Sequence, residues 1–349
     1  MKKYILLVAL VLSLSSLFGQ KKILFDNTKS ETAGNADWVI DNNQPIPSPA
    51  QSGITSTTTE DYWLGALSSW GVEMVKQGFW VETLPSSGSI TYGDGSNSQD
   101  LSNYDIFVIC EPNNPFSQAE KEAIMNFVSN GGGLFMVSDH AIADRDGDGW
   151  DALEVWNDFL TNNPVKNKPF GFTFDEGSNI SAVPSNNVAN RSNDPILHGP
   201  KGDVEGIEFH NGGTMTINTA DNASVMAAVY HIGYSNTGTT GVMVAYATYG
   251  SGRVVAVGDS SVPEDVTPQS GTTYDGWNEA NGDNGVLITL ATLWLGFSQS
   301  TVNREHSSNV TGFSVTEITS NSIKLVWTDA VGGNLPSCYL IKSTTTSST

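Results

Sequence analysis

The chain has 349 residues, with 37 acidic against 16 basic ones and a formal net charge of −21. This charge argues against binding to DNA, RNA or anionic membrane surfaces, whereas cations and neutral polymers stay compatible. The two cysteines, Cys110 and Cys338, cannot form a disulfide framework. Stability is therefore expected from a hydrophobic core and from bound cations.

Residues 1–19 have the layout of a cleaved secretory signal. Lys2 and Lys3 precede an apolar run over residues 4–12, and small residues follow it. No other segment approaches the ~18 uninterrupted apolar residues of a membrane span. We expect a secreted protein, extracellular or periplasmic, that does not insert into a membrane and whose mature chain begins at Gln20.

Between residues 21 and 296, short apolar runs alternate with amphipathic ones, a pattern typical of α/β proteins. The apolar runs predict strands over 23–26, 81–84, 104–110, 134–137 and 254–257. Helical spacing predicts helices over 61–78, 117–129, 151–160 and 284–295. In the second of these, Ser117 and Glu120 have the spacing of a capping box. The sequence therefore predicts a flavodoxin-like, mostly parallel sheet with helices on both faces.

Residues 204–250 have a different pattern, with short alternating runs broken by Gly, Asn and Thr. The runs cover 204–209, 215–218, 225–231 and 242–249. Alternation of this kind predicts an antiparallel extension of the sheet. The composition then changes near Ser298, so we expect the α/β domain to span 20–297 and a linker to occupy 298–308.

Acidic residues follow four of the predicted strands, namely Asp26, Glu111, Asp139 and Asp259. In an open parallel sheet the ligand crevice lies at the carboxyl ends of the strands, so these side chains are expected along one edge. His140 follows Asp139 directly, and a histidine beside a carboxylate suits proton transfer. This edge is the predicted functional site.

The candidate catalytic set comprises Ser138, Asp139, His140, Asp26 and Asp259. Ser138 is a candidate nucleophile, and the other four could gather a metal-activated water. Those four have structural alternatives. Asp139 could cap the following turn with His140 packed beneath the loop, and Asp26 and Asp259 could bind backbone amides at strand ends.

The segment 144–149 has the Asp-x-Asp-x-Asp-Gly pattern of a calcium loop. Asp144, Asp146 and Asp148 offer alternate oxygen ligands, and a glycine follows for the sharp turn. Val155 stands where a helix-loop-helix site has its bidentate acid, so Asp151, Glu154 or a distant loop would complete the ligand set. The sequence predicts Ca²⁺ here, and the alternative is a solvated acidic turn.

Several segments together resemble the class I glutamine amidotransferase-like superfamily, in its trehalose-utilisation-like and gliding/intraflagellar-transport-like branches. They are 104–109, the glycines 131–133, the strand ending at Ser138, 250–260 and 282–284. The resemblance covers about residues 21–297 and implies the flavodoxin-like fold. Ser138 resembles the amidotransferase cysteine in position, but Met136 and His140 replace the flanking glycines. Glutamine hydrolysis is therefore not expected.

Residues 309–342 resemble the opening strands of a fibronectin type III module. Phe313, Val315 and Ile318 match its first strand, 323–327 its second and 339–341 its third. An Ig-like sandwich of this kind needs about seven strands and roughly 100 residues. We therefore expect a partial module over 309–349.

Two functions follow as hypotheses. The first is an extracellular binding or scaffolding module for carbohydrate or another polymer, with Trp150 and Trp277 in polar turns able to stack on sugar rings. The second is a secreted metal-assisted hydrolase that uses the carboxylates and histidine at the strand ends. Whether the protein is an enzyme is left open by the sequence.

Overall fold

The computed structural model describes residues 20–180, 183–266, 274–296, 311–318 and 323–328. The chain divides into two units, Met1–Ser298 and Gln299–Thr349. The predicted signal over 1–19, the linker and the predicted strand at 339–341 lie outside the described residues. In the part of the chain that the structure describes, none of the helices has the length and apolar character of a membrane span.

The larger unit is built on a mixed sheet, which in the described residues has ten strands. Its parallel half has the order β2-β1-β3-β4-β14, formed by β1 (Lys22–Asp26), β2 (Trp80–Leu84), β3 (Ile106–Cys110), β4 (Gly133–Val137) and β14 (Gly252–Val257). These are the five predicted strands, with ends shifted by two residues or fewer. The predicted α/β class with a mostly parallel central sheet is confirmed.

The other half of the sheet is antiparallel. It comprises β13 (Val242–Tyr249), β12 (Met226–Tyr230), β11 (Met215–Ile217), β5 (Phe172–Phe174) and β7 (Asn187–Val188). Three of the four predicted runs thus form the expected extension. The prediction for the run over 204–209 was wrong about its place in the sheet. Its strand β10 (Ile207–Phe209) pairs with β6 (Val183–Ser185) in a separate antiparallel ladder. A further small hairpin joins β8 (His198–Gly199) to β9 (Gly202–Asp203).

The described residues have four α-helices that cover the sheet: α1 (Ser68–Lys76), α2 (Gln118–Ser129), α3 (Ala152–Thr161) and α4 (Asn284–Gly296). In the same part of the chain, three short 3-10 helices lie at Gln51–Gly53, Glu60–Tyr62 and Leu101–Asn103. The capping box of α2 is present, since the Ser117 side chain accepts from the Glu120 amide and Glu120 accepts from the Ser117 amide. The start of α1 differs from the prediction. The amides of Gly65, Ala66 and Leu67 donate to carbonyls of residues 37–40, which takes them out of a helical ladder.

The core lies on both faces of the parallel strands and is rich in aromatic side chains. Trp63 and Trp70 are fully buried, and Trp70 packs edge-on against Phe25 and Phe135 with ring centroids 5.3 and 4.7 Å away. Trp156 donates from Nε1 to the carbonyl of Val137 at 2.9 Å. This bond joins α3 to the end of β4, where the predicted site begins.

The smaller unit contains one antiparallel ladder between β15 (Thr311–Ile318) and β16 (Ile323–Thr328). Both strands cover segments predicted as strands. A two-stranded ladder is common to many β-proteins, so the fibronectin-type assignment stays a prediction.

Candidate functional site

The four strand-end acids lie at the carboxyl edge of the parallel strands, as the topology requires. Asp26 ends β1, Glu111 follows β3, Asp139 follows β4 by two residues and Asp259 follows β14 by two residues. All four side chains are almost completely buried. Buried carboxylates need partners, and their partners determine what each residue can do.

Arg145 is the cation that pairs with Glu111 and Asp139. Its Nε lies 2.6 Å from Glu111 Oε1, its Nη2 lies 2.6 Å from Asp139 Oδ2, and its Nη1 donates to Asn35 Oδ1 at 2.9 Å. The Arg145 amide also donates to the side chain of Asn113. Arg145 thereby pairs with two buried acids, a role that the sequence analysis missed. The signal for it was a single arginine inside an acidic loop close to buried strand-end acids.

The charges at this edge affect one another. Burial, and then the neighbouring charges of Glu111 and Asp259, raise the pKa of Asp139 well above its usual range, and Arg145 opposes this rise. Burial raises the pKa of Asp259 to about 6, although backbone amides at Ser261, His210 and Asn211 stabilise its charged form. Asp259 thus has the structural role named as its alternative, because it binds amides of two loops.

Asp26 has a different partner from the other acids. Its carboxyl group interacts with the buried carboxyl group of Glu31, and it accepts from the amide and hydroxyl of Thr28. Burial raises the pKa of Asp26 to about 6, and burial with the charge of Asp26 raises that of Glu31 well above its usual range. The fold therefore favours protonation of this pair over two charged carboxylates.

His140 has one ring nitrogen fixed and one available. Nδ1 lies 2.7 Å from the carbonyl oxygen of Ala141, and a carbonyl only accepts, so Nδ1 carries the proton. Nε2 then has a lone pair with no hydrogen-bond donor among the described residues, and it lies 4.0 Å from Asp139 Oδ2. This geometry leaves His140 able to accept a proton at Nε2.

Ser138 is fully buried, and within the described residues its Oγ has no hydrogen-bond partner. Its amide donates to the Val257 carbonyl at 2.9 Å, which continues the pairing of β4 with β14. Because the side chain has no exposed surface, the structure does not offer Ser138 to a substrate as a nucleophile.

A cavity of about 210 Å³ opens at this edge. Its walls combine charged, amide and hydroxyl groups with two aromatic rings. The lining residues are Asn35, Trp38, Asp139, His140, Arg145, His210, Asn211, Ser260, Ser261, Glu264 and Tyr274. The indole Nε1 of Trp38, a buried donor, has no hydrogen-bond partner within the described residues. Trp38 thus brings to the cavity wall a buried donor that still needs an acceptor.

The predicted cation loop brings three carboxylates together. One oxygen each of Asp144, Asp146 and Asp148 lies within 4.8 Å of the others. Asp144 accepts from the amides of Gly147 and Gly149, and Asn114 Nδ2 donates to Asp146 and Asp148 at 2.6 and 3.1 Å. The loop geometry is compatible with a hard cation, and no ion is needed for the loop's own hydrogen bonds.

Asp151 and Glu154 are not part of this three-carboxylate group. They form the capping box of α3, in which each side chain accepts from the backbone amide of the other, and Asp151 also accepts from the Ile142 amide at 2.8 Å. The three-carboxylate group therefore forms without these two predicted ligands. Their positions follow from the start of α3 at Ala152, where a cap is needed.

The two tryptophans of the polar turns have different surroundings. Trp150 is 36% exposed and lines a second cavity of about 500 Å³ with residues of α3. Trp277 is partly buried against the core, and its amide donates to the Glu264 carbonyl at 2.7 Å. Trp150 is therefore the one of this pair that presents surface beside the acidic loop.

No family model and no curated protein matches the chain. Among solved structures it is similar to the mmIFT52 N-terminal domain, with 12% identity, a TM-score of 0.48, and coverage of 79% of this chain and 98% of that one. A cytoplasmic protein from Salmonella typhimurium has 14% identity and a TM-score of 0.45, covering 78% and 98%. A ThuA-like protein from Parabacteroides merdae has 14% identity and a TM-score of 0.35, covering 79% and 90%.

Proposed function

We propose that the larger unit is a secreted binding module that holds a carbohydrate in the cavity at the strand ends, with Ca²⁺ ordering the acidic loop beside it. The observation that carries this proposal is the composition of the cavity wall. Trp38 and Tyr274 provide aromatic surface, and the remaining lining residues provide both donors and acceptors. Sugar rings need both kinds of contact, because they have apolar faces and hydroxyls that donate and accept.

The size of the cavity narrows the ligand class. A volume of about 210 Å³ is below the ~300–1,000 Å³ of most small-molecule pockets. One sugar ring suits this space better than an internal stretch of polymer. We therefore propose recognition of a monosaccharide or of the terminal residue of a chain.

The acidic loop contributes directly to the cavity. Arg145 belongs to the loop and lines the cavity, while Asp144 and Asp146 on either side of it belong to the three-carboxylate group. A Ca²⁺ ion held by that group would fix the backbone at Arg145 and so its position over Asp139. This link supports a calcium-dependent binding site.

The test is calorimetric titration with a panel of mono- and disaccharides, with and without Ca²⁺. Trp38→Phe removes the unpaired indole donor and keeps an aromatic ring, so affinity should fall about three- to tenfold, the effect of one hydrogen bond. Trp80→Phe is the matched control, because its indole Nε1 bonds to Glu82 on β2. Absence of saccharide binding, or equal affinities of the two variants, would overturn the proposal. Titration of Trp150→Phe with the same panel tests whether saccharides bind in the second cavity, which Trp150 lines.

A hydrolase is the second candidate, and the free Nε2 of His140 beside Asp139 favours it. Among the described residues, Asp26 and Asp259 do not join them in a metal-binding group. The reaction would therefore use His140 as a general base. Turnover of nitrophenyl glycosides and esters that falls roughly 100-fold or more in His140→Asn, and not in His198→Asn, would support it.

Export and the partial fibronectin-type module also stand as proposals. An N-terminal signal over 1–19 would leave Gln20 as the first residue of the exported protein. Mass spectrometry of the protein recovered outside the cytoplasm checks this, and a retained Met1 would contradict it.

A further inference from the structure

Three side chains that can bind a metal meet apart from the acidic loop, and one of them, His210, lines the cavity. Glu208 belongs to β10, His210 follows that strand directly, and Glu279 precedes α4. One carboxylate oxygen of each glutamate and one ring nitrogen of His210 all lie within 4.8 Å of one another. The contact between His210 Nε2 and Glu279 Oε2 measures 2.7 Å.

Glu208 shows that this group needs a further partner. Glu208 is only 7% exposed, and within the described residues its Oε2 has no hydrogen-bond partner. A buried carboxylate oxygen without a donor is costly, and a bound cation would remove that cost.

The fold holds Glu208 in place by its backbone. Its amide donates to Asn284 Oδ1 at 3.0 Å, and Asn284 Nδ2 donates to its carbonyl at 3.1 Å. Asn284 is the first residue of α4, so β10 and α4 are joined at this point. His210 is likewise fixed, because its amide donates to Asp259 at 2.6 Å and its ring stacks on Tyr274 at 4.3 Å.

We propose that Glu208, His210 and Glu279 form a binding site for a divalent transition-metal ion such as Zn²⁺ or Mn²⁺. Two carboxylate oxygens and one imidazole nitrogen are ligands of such ions, whereas Ca²⁺ and Mg²⁺ prefer oxygen alone. On binding, His210 Nε2 releases its proton and its lone pair bonds the ion. The three side chains draw together to the ~2.0–2.2 Å ligand distances of zinc sites.

Three protein ligands leave at least one coordination position for water or for an oxygen of a bound molecule. His210 also lines the 210 Å³ cavity, so the ion would lie at the wall of the proposed ligand site. The acidic loop differs in its chemistry, because its three Asp side chains offer oxygen only. The chain would thus have two cation sites of different selectivity.

The test is a titration of the metal-stripped full chain with Co²⁺, with excess Ca²⁺ present to occupy the acidic loop. Visible absorption of Co²⁺ reports nitrogen coordination, and calorimetry with Zn²⁺ gives the stoichiometry. One ion per chain is expected. Glu208→Gln and His210→Asn should each weaken binding roughly tenfold or more, since each removes one of three ligands. Glu208→Gln keeps the backbone bonds to Asn284, which guards against misfolding.

His198→Asn is the matched control. His198 Nδ1 lies 2.8 Å from Asp203, a similar histidine–carboxylate pair on the hairpin of β8 and β9. The His198→Asn variant should bind Co²⁺ and Zn²⁺ with the affinity of the wild-type chain. The proposal is overturned if the wild-type chain gives no nitrogen-ligated Co²⁺ spectrum, or if Glu208→Gln binds as tightly as wild type. Saccharide binding measured in the absence of transition metals reports the proposed function independently.

Discussion

Arg145 Nη2 lies 2.6 Å from Asp139 Oδ2, and this ion pair joins the acidic loop to the end of β4. The same guanidinium group contacts Glu111 after β3, so one exposed loop is attached to two neighbouring strands of the sheet. Two buried acids share one cation here, and burial, followed by the charges of Glu111 and Asp259, raises the pKa of Asp139. The cavity wall therefore depends on the loop remaining in place.

Replacing Arg145 with methionine should destabilise the protein. Asp139 and Glu111 would stay buried without their cation, and breaking a buried ion pair costs about 3–5 kcal/mol. We expect a loss of about 3 kcal/mol in the free energy of unfolding at pH 8, measured by urea denaturation. The loss should be smaller at pH 5, because the raised pKa of Asp139 lets that side chain take up a proton.

The control for this variant is Lys21→Met. Lys21 pairs with Asp105 at 2.8 Å, but both side chains are about one-third exposed. Exposed pairs contribute ~0–1 kcal/mol, so this change should have little effect. Equal losses for the two variants would mean that Arg145 makes no special contribution.

The paired acids Asp26 and Glu31 predict a pH dependence. Both have pKa values above their usual range, to about 6 for Asp26, so the folded state holds more protons than the unfolded one. Their stabilising effect is complete below the usual pKa values near 4 and is lost as pH rises through the raised values. The free energy of unfolding should therefore decrease from about pH 5 upward.

Glu31→Gln should reduce this dependence, because its neutral amide replaces the protonated acid beside Asp26. The slope of unfolding free energy against pH should become less steep by up to about 1.4 kcal/mol per pH unit, the value for one proton. Urea denaturation at several pH values between 5 and 8 measures the slope. Glu122→Gln, an exposed site on α2, should leave it unchanged. A steeper slope in Glu31→Gln would contradict the raised pKa values of Asp26 and Glu31.

The sequence was sufficient for the parallel half of the sheet, because its strands are continuous apolar runs that are buried on both faces. The same reasoning failed for residues 61–67, where a helical pattern of side chains continues through Trp63. The amides of Gly65 and its neighbours bond instead to residues 37–40. Long-range hydrogen bonds of this kind leave no periodic signal in the sequence.

Only part of the candidate site was predicted, because some of its residues are brought together by long-range contacts. The rule that ligands bind at the carboxyl ends of parallel strands located Asp139, His140 and Asp259 along one edge. It could not identify Trp38 or Glu279, which lie in loops beyond the strand ends and reach that edge only after folding. The roles of Asp26 and Asp259 depended on partners that only the structure shows.

Calcium should stabilise the protein through the acidic loop. At free Ca²⁺ about 100-fold above its dissociation constant, binding to the folded state alone adds about 2.7 kcal/mol. Thermal melting with and without Ca²⁺ should therefore show a higher melting temperature with the ion. Asp146→Ala should lose this rise, whereas Asp61→Asn, at an exposed site outside the loop, should retain it. A wild-type melting curve that does not respond to Ca²⁺ would contradict the loop assignment.

Gly258→Ala should disturb the site from within the sheet. Gly258 lies between β14 and Asp259, and a Cβ there would collide with the Gly213 carbonyl oxygen and approach Phe209 to 3.2 Å. Overpacking costs about 1–3 kcal/mol, and the strain falls on the Asp259 contacts to His210 and Asn211.

We therefore expect Gly258→Ala to lower both the free energy of unfolding and saccharide affinity in the cavity. Gly95→Ala is the control, since its Cβ would have nothing within 4 Å. Urea denaturation and calorimetry measure the two effects separately. Because Asp259 fixes the backbone at His210, a cavity lining residue, the strain at Gly258 should reach the ligand site. Wild-type affinity in a destabilised Gly258→Ala protein would show that the Asp259 contacts do not shape the cavity.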